Sequence, residues 1–278
     1  MFQNNVWWIT GASSGIGAAL AVALSEEGAD LILSGRNEAA LDAVSRSLKA
    51  RSLVLPFEVT AFEKIPDVAD QAWNWAAQHA KGIRGLVNNA GITQRSLALD
   101  TVFDVYRRIV DVDLLAPIAL TQALVPRMVG AGEGNIVAIS SVAGVAGVPM
   151  RSAYCAAKHG LIGYHDSLRA ETDHLGLRVL VVCPGSVKTN VSKNALNADG
   201  SARGFSDAAI EQGMEPGIVA QRILAALRGG ERELILAEGA EAQIATLRRS
   251  DPNALFDLLA QMVANGYARQ YDKSAKNS

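Results

Sequence analysis

The sequence predicts an α/β fold, a doubly wound sheet of about seven parallel strands with helices on both faces. Three observations carry that prediction. Short β-rich runs alternate with longer helical stretches. The runs are apolar almost continuously, as strands covered on both faces must be. The first run passes directly into a glycine-spaced turn that opens a helix.

Taken in order, VWWIT (6–10) reads as the first strand and residues 18–27 as the helix after it. DLILS (30–34) is followed by a helix at 39–49, and LVLPF (53–57) by one at 64–79. GLVNN (85–89) leads to a long apolar stretch at 102–129, read as a single helix. NIVAIS (135–140) precedes a helix at 152–175, and RVLVV (178–182) and ELILA (233–237) complete the strands. Two segments break the alternation. Residues 186–215 are rich in Ser, Asn, Gly and Asp, with scattered Val191, Leu196, Phe205 and Met214. A long irregular insertion after a strand is more often functional than filler, so a lid over a ligand is expected there, with those four side chains as its apolar contacts. Residues 238–278 read as a helical extension whose last stretch, YDKSAKNS, is expected to fray. No compositional break or internal repeat divides residues 1–278, so one domain is expected.

Composition narrows the function classes. Hydrophobic residues make up 49% of the 278, enough for a full core, and the net charge of −2 comes with no clustered Lys/Arg run. Nucleic-acid and acidic-membrane partners therefore have little electrostatic support. Cys155 and Cys183 are too few for a disulfide framework and follow no metal-ligand spacing. They read as buried thiols in a reducing compartment. His79, His159, His165 and His174 lack the paired spacing of a zinc site, so no metal is expected. The N-terminal MFQNNVWWITGASSG has neither a basic stretch nor a long apolar run, which argues against a signal peptide or membrane anchor. A cytoplasmic protein is expected.

The turn after the first strand reads TGASSGIG, with Thr10, Gly11, Gly15 and Gly17 opening a helix. Glycines let backbone turn tightly and approach a pyrophosphate, while a helix N-terminus supplies free N–H groups and positive dipole. The spacing is G-x-x-x-G-x-G. Further along stand NNAG at 88–91, Ser141, Tyr154 and Lys158 in the pattern S-x₁₂-Y-x₃-K, and Pro184-Gly185 followed by Ser186-Val187-Lys188-Thr189.

These motifs, in this order, resemble the short-chain dehydrogenase/reductase family, over about residues 5–237. The stretches NNAGITQRS, DVYRR and VPMRSAYCAAKHG are similar to that family's member 7 group. The resemblance implies a Rossmann-type nucleotide-binding core at about 5–237, the lid at 186–215, and a nicotinamide dinucleotide as cofactor. It implies cofactor contacts from Gly11, Ser13, Ser14, Gly15, Ile16 and Gly17 in the turn, and from Asn89, Ala90 and Gly91 beside the adenosine. Pro184, Gly185, Val187 and Thr189 would belong to the loop over the nicotinamide carboxamide, with Tyr154 and Lys158 also touching the cofactor. A homodimer or homotetramer is implied too, because the family commonly pairs the helices at 102–129 and 152–175 between subunits.

The residues themselves explain why the chemistry needs this pattern. Hydride delivery to a carbonyl carbon leaves negative charge on oxygen, which takes up a proton. A free phenol, with a pKa of about 10, is a serviceable acid but a poor base near neutrality. An ammonium one helical turn away favours the phenolate, which lets proton transfer run in either direction. Tyr154 and Lys158 therefore read as a catalytic pair rather than two amphipathic surface side chains. Ser141 ends its strand, where a hydroxyl can orient the substrate oxygen. The neighbouring Ser140 faces the opposite way and is the alternative. In the resembled family the position of Asp113 is an Asn that helps hold a proton-relaying water. An aspartate there keeps an acceptor, loses the amide donor and can carry charge. Charged, it would hold Lys158 as ammonium and oppose a phenolate at Tyr154, favouring reduction over oxidation. The bland alternative leaves Asp113 kinetically silent.

DLILSGRN ends the second strand with Gly35-Arg36 and no carboxylate. An acid here selects a ribose 2′-OH, whereas an Arg accommodates a 2′-phosphate. NADP(H) is therefore favoured over NAD(H), with Arg36 as a solvated loop charge or an adenine-stacking surface as the competing reading. Glu58 stands where many members of the resembled family have an adenine-contacting Asp, and backbone groups of Val59 are expected to contribute. The expected function is interconversion of a carbonyl and an alcohol on a small, hydrophobic molecule. A nucleotide-binding regulator of the same fold, an NAD-dependent alcohol dehydrogenase, and an epimerase or dehydratase with a retained cofactor are the alternatives.

Overall fold

A computed structural model describes residues 1–271 of the chain. β1 (Val6–Thr10), α1 (Gly15–Glu26), β2 (Asp30–Ser34), α2 (Glu38–Ser47), β3 (Ser52–Val54), α3 (Ile65–His79) and β4 (Ile83–Asn88) form the first half. Then come α4 (Phe103–Val110), a π-helical turn (Asp111–Leu115), α5 (Ala116–Gly130), β5 (Gly134–Ile139), α6 (Val142–Val145), α7 (Ser152–Thr172) and β6 (Leu177–Pro184). α8 (Ala208–Glu211), α9 (Pro216–Gly229), β7 (Glu233–Leu236), α10 (Gly239–Ser250) and α11 (Pro252–Ala264) follow. The seven strands make one sheet in the order β3-β2-β1-β4-β5-β6-β7, and every pairing is parallel.

The near-continuous apolar strands are explained by two cores. Successive side chains of a strand point to opposite faces. Trp7, Ile9, Leu31, Leu33, Leu180 and Val182 pack on one side, against α1 and α9. Val6, Trp8, Ile32, Leu86, Ile136 and Val179 pack on the other, against α3 and α5. Each fully buried aliphatic side chain contributes about 1.5–3 kcal/mol by leaving water. The Trp8 indole N–H donates to Ser34 Oγ at 2.8 Å, and Ser34 Oγ donates to the Leu55 carbonyl at 2.7 Å, so these two buried polar side chains are paired.

Two details differ from expectation. β3 ends at Val54 rather than running to residue 57; Pro56 lacks the N–H that a ladder needs. The long helix at 102–129 is broken in the middle by the π turn, where Ala116 N–H reaches back to Asp111 O. Pro117 supplies the reason. It has no N–H, and its ring crowds the carbonyl four residues back, so the turn widens. The whole stretch, Phe103–Gly130, is long and apolar enough to cross a bilayer, and Val105, Ile109, Leu120, Leu124 and Met128 within it are buried in the protein core. The extension after β7 is a helical pair, with Leu255 and Leu259 of α11 packed around Ala146 together with Ile244 and Leu247 of α10. Of the ending expected to fray, residues 272–278 lie outside the described residues.

Candidate active site

β1 lies between β2 and β4, so the chain winds one way to β3 and then the other way from β4 onward. In open α/β sheets, ligands bind outside the carboxyl ends of the strands at such a reversal. A cleft of about 1230 Å³ opens at that place.

The turn after β1 is built for a close backbone approach. Gly11 and Gly15 have φ of +65° and +56°, where a Cβ is strained. Gly17 has ordinary φ, yet a Cβ on it would lie 2.3 Å from the Gly11 carbonyl oxygen. Asn89 locks the turn: its Nδ2 donates to the carbonyls of Thr10 (2.9 Å) and Gly11 (3.1 Å). Thr10 Oγ1 in turn accepts from the N–H groups of Asn89 (3.0 Å) and Ala90 (3.1 Å) and donates to the Val87 carbonyl (3.3 Å). The first turn of α1 has no side-chain cap at Ser14, which leaves its N–H groups for an anion. A dinucleotide pyrophosphate fits this cradle.

Gly11, Ser13, Ser14, Gly15 and Ile16 line the cleft; Gly17 sits behind them and serves the turn by letting it pack. Asn89, Ala90 and Gly91 form the wall after β4. Arg36, Glu58 and Val59 line the far end, where Arg36 Nη1 is 3.6 Å from Glu58 Oε2 with both side chains well exposed. Pro184, Gly185, Val187 and Thr189 line the near end, and Thr189 closes toward Gly15.

At that near end Ser141, Tyr154, Lys158 and Asp113 face one space. Ser141 caps α6: its Oγ accepts from Ala143 N–H at 3.1 Å and donates to the Pro184 carbonyl at 3.3 Å. Ser140 is turned away, donating to the Lys158 carbonyl at 3.1 Å. On α7, the Lys158 ammonium lies 5.5 Å from the Tyr154 ring centroid and donates to the Ile139 carbonyl at 2.9 Å. Asp113, carried inward by the π turn, is fully buried. Its Oδ1 accepts from Ile92 N–H at 2.8 Å. Its Oδ2 is 3.1 Å from Lys158 Nζ, close enough for an ion pair but out of hydrogen-bond alignment. Burial pushes the Asp113 carboxyl above the usual aspartate range, against the pull of Lys158 and Ile92. Burial alone would depress Lys158, but Asp113 and then Tyr154 outweigh it and raise the ammonium above the usual lysine range. Burial thus works against the carboxylate charge of Asp113, while that charge, where present, favours the Lys158 ammonium.

The sequence profile described as short chain dehydrogenase matches residues 5–200. The chain belongs to the short-chain dehydrogenase/reductase family. It is 39% identical over 263 residues to dehydrogenase/reductase SDR family member 7B of Bos taurus, covering 93% of this chain and 81% of that protein. This bears out the resemblance to the member 7 group. Among solved structures, a short-chain dehydrogenase from Streptomyces avermitilis superposes with a TM-score of 0.77 at 29% identity, covering 94% of this chain and 98% of that one. One from Sphingobium yanoikuyae, in complex with NADPH, does so with a TM-score of 0.74 at 26% identity, covering 91% and 96%. As a member of this family the protein is an NAD(P)-dependent oxidoreductase.

Other parts of this short-chain dehydrogenase/reductase site gave little local signal in the sequence. Arg95 and Asp207 form a buried pair, with Nε donating to Oδ2 at 2.7 Å, and Arg203 holds the other carboxylate oxygen. Burial would raise the Asp207 carboxyl, but the two guanidinium groups hold it below the usual aspartate range. This triad pins the middle of the segment 186–215 to the strand exit at 93–95. Leu196 is correspondingly buried against Val105 and Ile109 while still lining the cleft with Val191 and Met214. Phe205 does not line that cleft; it stacks on Arg203, whose guanidinium carbon lies 4.0 Å from its ring centroid, and borders a separate depression beside Lys193. Ile244, Met262 and Tyr267 of the C-terminal extension also line the cleft.

Proposed function

We propose that the protein is an NADP(H)-dependent reductase that interconverts a carbonyl and an alcohol on a small hydrophobic molecule. The observation that carries this reading is the convergence of Tyr154, Lys158, Ser141 and Asp113 at the end of the cleft whose other end is the glycine turn. A nicotinamide dinucleotide held by the glycine turn and the Pro184–Thr189 loop would supply the hydride. Tyr154 donates its hydroxyl proton to the oxygen as charge develops there, and Ser141 Oγ holds that oxygen in place. Lys158 stabilises the tyrosine anion left behind and would also hold the cofactor ribose. Asp113 keeps Lys158 charged and aimed, and so tilts Tyr154 toward acting as an acid. Val191, Leu196 and Met214 supply apolar wall for the substrate, and closure of the segment around them excludes water.

Arg36 favours NADP(H) by pairing with a 2′-phosphate. A second reading, use of NAD(H), is supported by one contact: Glu58 stands 3.6 Å from Arg36 and offsets its charge. We further propose a homodimer or homotetramer working in the cytoplasm. The deciding experiment is a panel of ketones, aldehydes and alcohols assayed with each nicotinamide cofactor by absorbance of the reduced form. Turnover with NADPH and an apolar ketone or aldehyde supports the reading. Cofactor binding with no net consumption across the panel supports a retained-cofactor enzyme or a regulator instead.

A further inference from the structure

The loop on the nicotinamide side of the cleft is held by a residue far away in sequence. Glu241, in the first turn of α10, accepts from Ser186 N–H through Oε2 at 2.6 Å and from Ser186 Oγ through Oε1 at 2.9 Å. The fit leaves no room beside it, since a Cβ on Gly185 would lie 2.2 Å from Glu241 Oε2. Both carboxylate oxygens are thus spent on one residue of the loop, in charge-assisted bonds, at a helix N-terminus that favours the negative charge.

Ser186 is also a junction. Its carbonyl accepts from Met214 N–H at 2.9 Å, and Lys188 N–H donates to the Met214 carbonyl at 3.0 Å. Two residues back along the chain, the Pro184 carbonyl accepts from Ser141 Oγ at 3.3 Å. α10 itself presents Ile244 to the cleft, and α11 behind it presents Met262. One carboxylate therefore links the C-terminal wall of the cleft to the loop that carries Val187 and Thr189.

We propose that Glu241 is a positioning residue that sets the Pro184–Thr189 loop for the nicotinamide cofactor and couples it to the C-terminal extension. This rests on the reading of the cleft as a nicotinamide site. Without the carboxylate, the backbone N–H and hydroxyl of Ser186 lose their shared acceptor and the loop is free to drift from Gly15. A bond of this type accounts for roughly tenfold or more in binding.

The test is titration of NADPH and NADH by fluorescence quenching with the whole chain, together with hydrogen exchange in the cofactor-free protein. Glu241→Ala is expected to weaken both cofactors by about tenfold or more and to speed exchange at 185–189. Glu241→Gln, which keeps one acceptor, is expected to recover most of the affinity. Arg249→Ala cuts a different tie of α10, its ion pair with Glu233, without touching the loop, and should leave cofactor affinity unchanged. Affinity unmoved by Glu241→Ala, or weakened as much by Arg249→Ala, overturns the proposal and leaves the cofactor site standing. A wild-type protein that binds neither cofactor overturns both.

Discussion

Lys158 Nζ lies 3.1 Å from Asp113 Oδ2, in a pair with side-chain exposures of 5% and 0%. A charge so withdrawn from water depends on its partner and on the hydrogen bonds around it. The direct contact means that Asp113 acts on the ammonium itself. Reduction asks Tyr154 to give a proton, whereas oxidation asks it to lose one first, and a carboxylate behind the lysine opposes that loss. Asp113→Asn is therefore expected to move the pH optimum for alcohol oxidation downward, with cofactor affinity nearly unchanged. pH–rate profiles of the two proteins check this. An unmoved profile in an active, folded variant would make Asp113 a packing residue only.

Cofactor choice should turn on Arg36. A charge-assisted hydrogen bond to the 2′-phosphate is worth roughly 1.5–3 kcal/mol, so Arg36→Ala should weaken NADPH by about ten- to a hundredfold while NADH barely moves. Glu58→Gln, which frees Arg36 from its neighbour, should tighten NADPH. Fluorescence titration with both nucleotides reads each effect. Equal losses for both cofactors in Arg36→Ala would assign the side chain to adenine stacking.

The strands were legible because burial on both faces leaves little but apolar residues in them, and the pairing of Tyr154 with Lys158 because one helical turn separates them. What lay hidden depends on chain crossings or on a single missing hydrogen bond. Asp113 could be picked out by position, but its direct hold on Lys158 follows from the π turn that Pro117 imposes. Arg95 and Asp207 stand 112 residues apart, and Ser186 and Glu241 stand 55 apart, so no local pattern announces either contact. Phe205 illustrates the opposite failure. An aromatic in an irregular segment suggests a ligand contact, yet a guanidinium claims its face.

The segment 186–215 should behave as two parts. Residues 192–207 are held by the Arg95–Asp207–Arg203 triad, while 208–215 carry the short α8 and Met214 at the cleft. Hydrogen exchange is expected to be slow across 192–207 without ligand and to slow at 208–215 only when cofactor and a substrate analogue bind together. Asp207→Asn takes the shared carboxylate charge away from buried Arg95 and Arg203 and should cost about 3–5 kcal/mol, read as a lowered denaturant midpoint. Uniform exchange across the whole segment would argue against a pinned middle.

Stability in acid should carry the mark of His165. The ring is buried in α7; its Nδ1 is 2.8 Å from the Leu161 carbonyl, and Nε2 has no hydrogen-bond partner among the described residues. Burial, with Arg169 adding to it, pulls its pKa from 6.5 down to about 4, against smaller opposing effects of the Leu161 carbonyl and Asp166. The folded state therefore prefers the neutral ring. Its contribution is complete above the unfolded value and is lost as pH falls from 6.5 toward about 4, to a total of about 3 kcal/mol. Urea midpoints across this window should fall more steeply for the wild type than for His165→Leu. Parallel slopes would remove His165 from the acid response.

The most direct test of the central claim, that Tyr154 is the proton donor for hydride transfer in this cleft, is turnover of Tyr154→Phe. It should be measured against wild type with NADPH and the best carbonyl of the panel, alongside NADPH affinity by fluorescence quenching. The account expects turnover to fall by about 10²–10⁴-fold with affinity close to that of the wild type. Near-normal turnover in the phenylalanine variant would contradict it.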